Sequence, residues 1–525
     1  MTRRLTALAL ALVLALTLNG CWEDEPEPDD FWNDGTQQEE TPPEETTLTA
    51  ADFTLPYLSG QSFDPVTCID GVQQTVGALL YEPLFALDRS FEAKPVLCES
   101  MEQRTDEAGR SILTLTLRGD AVFSDGSPLT AKDVLATYRR AAESERYGAR
   151  FANVVSMTAQ GDRQLVITLA QENVFFDRLL DIPIVKAGTE GALVPLGTGP
   201  YVYTTDAGGA ALTTGTGWWR GETLPLARIA LAAAKDNDTA ASLFASQIVH
   251  FLLIDPVGTA AVPTSGAVTL TDIPTTILQY LGFNLSRAPL GDAAVRRAMS
   301  GVLDRETLVS SLLSGHGTAA QLPLLTQALS PSDRDRLRQY EYRTPAADYA
   351  AALEAAGVTA ARTRSLTLLV NEENSFKRTL AESICAQLST SALTVTVRVL
   401  PWADYLDALQ RGDFDLYFGE VRLTADFDAG ALLDADGALN YGGFVSESLS
   451  TLSDSLLRGG SDLTAMYAEG FAEETPFAPL LFKAKAVVTP AGLIEGMTPS
   501  ASNPFDGLER WVFRPSGAED GTFES

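Results

Sequence analysis

Apolar and polar residues alternate along two stretches in the first third of the chain. Residues 111–118 read Ser-Ile-Leu-Thr-Leu-Thr-Leu-Arg, and residues 164–169 read Gln-Leu-Val-Ile-Thr-Leu. A period of two places successive side chains on opposite faces, as in a β-strand with one buried face. The pair Asp125-Gly126 between them is typical of a turn. We therefore predict strands at 111–118 and 164–169 with a tight turn between them.

Apolar residues recur with helical spacing in the second half of the chain. Asp292 precedes Val295, Met299, Val302 and Leu303, which fall on one face of a helix. An aspartate directly before such a run is a preferred N-cap, because its carboxylate accepts from the free amides of the first turn. The pattern predicts a helix that begins after Asp292.

Further helix signals follow the same rules. Asp304 can cap a second helix that should stop at Gly315, and residues 130–133 contain a threonine cap with an acid three residues later. A helix through residues 380–388 leads into an alternating strand at 393–399. Helices that lead into strands indicate a mixed α/β fold with open sheets.

The first residues form a targeting segment. Arg3 and Arg4 precede an apolar run at 5–18, whose 14 residues would span about 21 Å as a helix, whereas a bilayer core needs about 20 residues. We therefore interpret residues 1–20 as a signal peptide. Its end, Leu18-Asn19-Gly20-Cys21, resembles the lipobox of bacterial lipoproteins, in which cleavage precedes a cysteine that then carries lipid.

No other stretch is apolar for long enough to cross a membrane, so we expect Cys21 to be the only membrane anchor. The folded body would then lie on the extracytoplasmic face, at the cell surface or in the periplasm.

Residues 21–50 carry eleven acids and no base, which predicts a solvated linker. The whole chain has a formal net charge of −31, of which −22 belongs to the body beyond residue 50. Such a charge argues against binding to nucleic acid.

The small number of histidines limits the kinds of catalysis that the chain could perform. Only two histidines, His250 and His316, occur among 525 residues, and they are isolated in sequence. Zinc-dependent hydrolysis and nucleophile activation by histidine usually need several histidines, and this chain has too few for either. We therefore expect that the protein is not an enzyme and that it has no metal site and no cofactor. The four cysteines show no CxxC spacing. A bridge between Cys68 and Cys98 remains open, because sequence does not fix its geometry.

Five ordered blocks resemble the family 5 extracellular solute-binding proteins, the oligopeptide, dipeptide and nickel receptors of ABC transporters. They follow the family's order, and the resemblance runs from about Asp52 to the C-terminus, so it covers essentially the whole body. The blocks are Leu80-Tyr81-Glu82-Pro83-Leu84-Phe85 with the segment 114–134, Gly197-Thr198-Gly199-Pro200-Tyr201, Trp218-Trp219-Arg220-Gly221, the segment from Phe283-Asn284 to Asp304-Arg305-Glu306, and Gly412-Asp413-Phe414-Asp415-Leu416.

The resemblance implies the α/β fold of type II periplasmic-binding proteins, with two lobes, an extra domain and hinge closure around a ligand. By that comparison, lobe I combines residues 51–70, 191–283 and 476–525, the extra domain is 71–190, and lobe II is 284–475. The implied function is that of a monomeric substrate-binding lipoprotein. It would capture short peptides and deliver them to the membrane permease of an ABC importer.

The family places a carboxylate for the peptide's ammonium soon after the Gly-Asp-Phe-Asp-Leu block. Asp426 is the best match by its Ala-Asp-aromatic context, and Asp428 is second. The segment departs from the family by lacking a tryptophan after Gly419 and by carrying Arg422, which could neutralise an acid or bind a ligand carboxylate. Aromatic residues of the same lobe are candidates for rigid contact area or for the core, namely Trp402, Tyr405, Tyr417 and Tyr441.

Three alternatives remain open from the sequence. The ligand could be a non-peptide solute such as a metal chelate or a sugar. The same closing fold could serve a sensor that signals to a membrane receptor without transport. Hydrolysis by carboxylates alone would make the protein an enzyme, although the chain has no GxxxxGK[ST] pattern for nucleotide hydrolysis.

Overall fold

A computed structural model describes residues 48–215, 217–258, 266–338, 343–459 and 461–515. Its strands are β1 Thr54–Leu58, β2 Phe85–Leu87, β3 Ala93–Pro95, β4 Cys98–Thr105, β5 Ser111–Leu117, β6 Val154–Gln160, β7 Gln164–Leu169, β8 Val202–Asp206, β9 Gly209–Thr213, β10 Arg228–Ala234, β11 Leu252–Ile254, β12 Val268–Phe283, β13 Gly317–Ala319, β14 Arg364–Asn371, β15 Leu393–Leu400, β16 Leu416–Arg422, β17 Phe477–Pro490, β18 Ile494–Glu495 and β19 Val512–Phe513.

The α-helices lie mostly in the second half of the chain, where they alternate with the strands of the largest sheet. They are α1 Gly71–Gly77, α2 Ala131–Ala142, α3 Asn237–Ala245, α4 Ala293–Val302, α5 Arg305–Thr307, α6 Pro331–Leu337, α7 Ala346–Ala355, α8 Ser375–Leu388, α9 Trp402–Arg411, α10 Gly430–Leu433, α11 Glu447–Leu457 and α12 Ser461–Glu474.

Three larger sheets organise the described residues, beside the two-stranded pairs β2-β3 and β18-β19. The first has the order β1-β10-β9-β8, with β1 and β10 parallel. The second, β4-β5-β7-β6, is antiparallel throughout. The third has seven strands in the order β11-β17-β12-β16-β14-β15, with β13 paired to β17, and its β14 is parallel to both β15 and β16.

The antiparallel sheet confirms the two strands predicted from alternation. Leu113, Leu115 and Leu117 of β5 are fully buried, while the residues between them keep solvent contact. They pack with β7 against α2, whose Val134 and Tyr138 are also fully buried. The turn predicted at Asp125-Gly126 is present, and its aspartate accepts from the Ser127 amide at 3.0 Å.

The predicted helix caps are confirmed. Asp292 accepts from the Ala294 amide at 2.9 Å at the start of α4, and Asp304 accepts from the Thr307 amide at 3.2 Å. Asp133 closes the capping box of α2 by accepting from the Thr130 amide at 2.9 Å. The predicted helix and strand at 380–388 and 393–399 correspond to α8 and β15.

Two long strands, β12 and β17, run through the seven-stranded sheet and pair with each other along most of their length. Their register shifts between Pro274 and Leu278, where two extra residues of β12 are accommodated. Beyond the shift, residues 277–283 of β12 also pair with β16. Both strands belong to the segments that we assign to lobe I, but each also pairs with a strand of the segment assigned to lobe II, β12 with β16 and β17 with β13. The division into lobes therefore stays an interpretation.

Three of the sequence blocks meet in one place. The Gly199 amide donates to the Leu80 carbonyl at 3.0 Å, and Glu82 accepts from the Trp219 indole at 2.7 Å and pairs with Arg220 at 3.2 Å. Burial raises the pKa of Glu82, and the positive charge of Arg220 opposes that rise. These motifs thus hold the fold together.

The cysteines of the described residues are unbridged. Cys68, Cys98 and Cys385 are free and buried, so the Cys68–Cys98 bridge left open by the sequence is not formed. Burial raises the pKa of the Cys98 and Cys385 thiols to about 12.

Cys21, the expected lipidation site, lies outside the described residues, as does the signal peptide. None of the helices in the described ranges combines the length and apolar character that crossing a bilayer requires.

Candidate functional site

The segment that follows β16 is held firmly against β12. At the end of β16, Arg422 pairs with Ile277. The next residue, Leu423, donates its amide to the Thr276 carbonyl at 3.0 Å and accepts from the Thr276 hydroxyl at 2.6 Å. These bonds fall inside the register shift of β12, so the irregularity of the long strand sets the direction in which residues 424–428 leave the sheet.

Asp426 is buried at the centre of this segment. Its residue is 8% exposed, and Oδ2 accepts from the Asn173 side chain at 2.8 Å. Oδ1 is fully buried and has no hydrogen-bond partner among the described residues. The charge of Asp426 also acts on Arg150, which is itself paired with Asp181. A buried carboxylate oxygen without a donor is costly unless something else supplies one.

The backbone beside Asp426 is strained. Phe427 has φ +59°, and its ring packs edge-on against Phe91, which has φ +60°, with 5.5 Å between the ring centres. A positive φ is unfavourable for a side chain of this size and persists only where the surroundings impose it. Because strain of this kind clusters at ligand sites, the Phe91–Phe427 contact marks this region as a candidate.

Asp426 and Phe427 line a cavity of about 600 Å³. Its wall combines charged residues of both signs with apolar ones, a mixture suited to a small solute that has polar ends and an apolar body. The lining residues that carry charge are Glu92, Arg178, Asp333, Arg334 and Asp426. Burial lowers the pKa of Arg178, and the nearby carboxylates of Asp177 and Asp426 oppose that shift.

Direct contacts join the stretch around Asn173 to the helix α11. The Val174 amide donates to the Leu457 carbonyl at 2.8 Å, and Arg458 donates to the Gln171 side chain at 2.9 Å. Together with the bond from Asn173 to Asp426, they bring the segment that we assign to the extra domain against the one that we assign to lobe II. The cavity lies where these two segments meet.

Asp428, the second candidate acid, is arranged differently. Its Oδ1 accepts from the Gly430 amide at 2.8 Å at the start of α10. The pKa of Asp428 is raised, first by desolvation and then by the negative charges of Asp426, Asp434 and Asp454. Asp428 is not among the residues that line the cavity, so Asp426 is the acid placed to meet a ligand there.

Arg422 precedes Asp426 and Asp428 by four and six residues in the sequence but pairs with neither of them. Its side chain is exposed at the end of β16, and it has no hydrogen bond or ion pair with another described residue. Desolvation lowers the pKa of Arg422, and the positive charge of Arg146 lowers it further. Neutralisation of Asp426 or Asp428 by Arg422, which the sequence allowed, does not occur.

The aromatic candidates divide into two that keep some solvent contact and two in the core. Trp402 is half exposed at the start of α9 and stacks on buried Tyr405, with 5.5 Å between the rings. Tyr441 is partly buried and packs edge-on against buried Tyr417 at 5.9 Å. None of the four lines the cavity of Asp426, and a role for Trp402 or Tyr441 in binding stays a prediction.

The sequence reasoning missed the partners that the extra-domain segment contributes. Asn173, Arg178 and Glu92 lie more than 240 residues before Asp426 in the chain, in segments without a recognisable motif. The available signal was weak: Asn173 follows the buried strand β7, where polar loop residues are common. Only the tertiary contacts identify them.

The two histidines have structural partners. His250 is buried, accepts from the Thr54 amide at 3.2 Å, and has a pKa lowered by burial. His316 contacts Asp272 at 2.8 Å. In the ranges that the structure describes, no group of three or more His, Cys, Asp or Glu side chains is arranged to hold a metal ion.

Comparison with known sequences identifies relatives of the chain. The family model of the bacterial extracellular solute-binding proteins, family 5 middle, matches residues 92–435. The glutathione-binding protein GsiB of Salmonella typhimurium is 26% identical over 274 residues, which are 49% of this chain and 53% of GsiB. The GsiB of Escherichia coli O157:H7 is 27% identical over the same shares. The chain thus spans about half the length of the curated relatives that it matches.

Solved structures show the same fold at low identity. The unliganded open form of MppA, a periplasmic murein tripeptide binding protein, matches with a TM-score of 0.69 and 17% identity, over 89% of this chain and 99% of MppA. NikA from Brucella suis in complex with Fe(III)-EDTA matches with a TM-score of 0.65 and 19% identity, over 88% and 99%. The expected α/β fold of type II periplasmic-binding proteins is confirmed.

Proposed function

Because the chain belongs to the bacterial extracellular solute-binding proteins of family 5, we propose that it captures short peptides outside the cytoplasm and delivers them to the permease of an ABC importer. It acts as a receptor without a catalytic step. A lipid on Cys21 would tether it to the membrane, and the acidic linker of residues 21–50 would hold the body away from the surface.

The observation that carries the proposal is the carboxylate of Asp426. Its Oδ1 is buried beside the cavity and has no donor among the described residues, while Asn173 satisfies Oδ2. The terminal ammonium of a peptide supplies both the missing hydrogen bond and the opposite charge. The mixed apolar and charged wall of the cavity leaves room for the side chains, which water can help to accommodate.

Calorimetric titration with a library of dipeptides to pentapeptides tests this function. We expect binding, and we expect the tightest peptide to lose at least about 30-fold in affinity when its amino terminus is acetylated, because the buried Oδ1 of Asp426 then loses the charged donor that the ammonium supplies. Equal affinity of the free and acetylated peptides would refute recognition of the amine. Binding of a nickel chelate or a sugar, with no binding of any peptide, would refute the peptide assignment altogether.

A further inference from the structure

A second cavity lies beside the first cavity, the one that Asp426 lines. Its volume is about 680 Å³, and its described lining residues belong to the segment assigned to lobe II, except for Phe482 of β17. Leu324 and Leu325 line both cavities and therefore stand between them. None of the charged residues described in one lining occurs in the other. The second cavity is thus a separate space that the proposed peptide site does not explain.

The chain that follows β13 forms one side of the second cavity. The Ala320 amide donates to the Leu480 carbonyl of β17 at 3.0 Å, which fixes the start of this segment. Residues 320–325 then leave the sheet without forming a helix or a strand. The chain continues into α6, whose Leu337 packs in the same apolar cluster as Ala468 of α12. The cavity is the space that remains between this segment, α12 and β17.

The inner wall of the second cavity is apolar. The large apolar side chains in it are at most 8% exposed, although they border a space that can hold a small molecule. They are Leu303, Val309, Leu324, Leu325, Leu337 and Phe482. Moving apolar surface from water into contact with such a wall is favourable. The cavity therefore favours a ligand with an apolar body.

The charged residues that line the second cavity have a positive excess. They are Arg305, Glu306 and Arg343. Arg343 and Glu306 are exposed, so they mark the side that is open to solvent, whereas Arg305 is only 5% exposed. Two guanidinium groups against one carboxylate favour an anionic group of the ligand.

The backbone and a neighbouring helix cap hold Arg343 at the cavity. The amide of Thr344 donates to the Gly301 carbonyl at 2.9 Å, at the end of α4. The Arg343 guanidinium lies 3.8 Å from Asp304, which also accepts from the amide and the hydroxyl of Thr307 at 3.2 and 2.9 Å. An exposed ion pair at this distance contributes little. An anion in the cavity can therefore compete for the Arg343 guanidinium.

Arg305 is fixed in the wall of the same cavity. Its guanidinium donates to the Pro479 carbonyl at 2.8 Å, and to the carbonyl and the hydroxyl of Ser300 at 2.8 Å each. These bonds keep a positive charge in a place shielded from water. A charge so shielded acts more strongly on an anion than an exposed charge does.

We propose that the second cavity is a binding site for an amphipathic anion, a molecule with an apolar body and a carboxylate at one end. The apolar body lies against Leu324, Leu337 and Phe482. The carboxylate meets Arg343 on the open side, and the positive charge of Arg305 attracts it further. The proposal goes beyond the proposed function, because it concerns another cavity and another class of ligand.

Calorimetric titration of the full chain with octanoate and with 1-octanol tests the site. The two compounds have the same apolar chain and differ in the charge of the head. We expect octanoate to bind at least about 10-fold more tightly than 1-octanol, and we expect Arg343→Gln to reduce this preference to less than about threefold. Arg364→Gln, which changes an exposed arginine outside the lining, should keep the full preference. Equal affinity of the wild type for the two compounds would overturn the proposal.

A variant that fills the second cavity separates the site from nonspecific adsorption. Ala472 of α12 lines the cavity and is 7% exposed, so Ala472→Leu places a larger side chain in the space. We expect octanoate affinity to fall at least about 10-fold and peptide affinity to stay within about threefold. Arg343→Gln changes only an exposed side chain, so it remains a test if Ala472→Leu folds poorly. Wild-type affinity for octanoate in Arg343→Gln rules the site out.

Asp426→Asn distinguishes this site from the peptide site. It should weaken peptide binding and leave octanoate affinity within about threefold of the wild type. A loss of octanoate binding in Asp426→Asn would place octanoate in the first cavity and overturn the proposal. If octanoate behaves as expected and no peptide binds, the peptide function fails and the second site stands. If peptides bind and octanoate does not, the second site fails and the peptide receptor stands.

Discussion

Replacement of Asp426 with asparagine is expected to weaken peptide binding by at least about 30-fold, which corresponds to about 2 kcal/mol or more of binding free energy. Asparagine has the same shape and can still accept from Asn173, so the variant removes the charge and little else. The ligand's ammonium then stays buried without a counter-charge. Calorimetric titration of wild type and Asp426→Asn with the same peptide measures the effect.

Asp428→Asn is the matched control, because it changes an acid two residues away that bonds to Gly430 and does not line the cavity. We expect its peptide affinity to stay within about threefold of the wild type. The unliganded Asp426→Asn protein should melt at the wild-type temperature or above it, since it no longer buries a carboxylate oxygen that lacks a hydrogen-bond donor. Full peptide affinity in Asp426→Asn, or a loss only in Asp428→Asn, would contradict the assignment.

Replacement of Gly197 with alanine should lower the free energy of unfolding by about 3 kcal/mol or more. A Cβ atom at this position would lie 2.0 Å from the Leu80 carbonyl oxygen and 2.4 Å from the Tyr81 ring. The carbonyl belongs to the backbone, so the contact can be relieved only by moving the chain. Urea unfolding followed by circular dichroism should show an earlier midpoint.

Gly191→Ala controls for the loss of a glycine as such. A Cβ atom at Gly191 meets nothing within 4 Å, and its backbone does not require a positive φ. The free energy of unfolding of this variant should lie within about 0.5 kcal/mol of the wild-type value or slightly above it, because alanine restricts the conformations of the unfolded chain. A Gly197→Ala protein as stable as Gly191→Ala would show that the two motifs do not pack as closely as described.

Local patterns identified several strands and helix starts correctly. The alternation at 111–118 and 164–169 became β5 and β7, because burial of one sheet face requires exactly that period. Asp292 and Asp304 became helix caps, because a cap needs only its own first turn. Both kinds of signal act over fewer than ten residues, so the sequence alone is enough to recognise them.

Part of the candidate site could be predicted from the sequence, and part could be recognised only in the tertiary structure. The position of Asp426 followed from its sequence context, whereas its partner Asn173 did not, because 253 residues separate the two and no local rule relates them. The unpaired state of Arg422 was equally inaccessible, since it depends on Glu420 being occupied by Lys377.

By itself, the sequence determined the class of protein and several caps and strands, and it predicted an acidic linker and the acid most suited to an amine. Only the tertiary structure decided which of two neighbouring acids faces a cavity and which cations remain without a counter-charge. The physical reason is that burial and pairing are properties of a place in the fold. Residues from distant segments create that place when β12 and β17 bring them together.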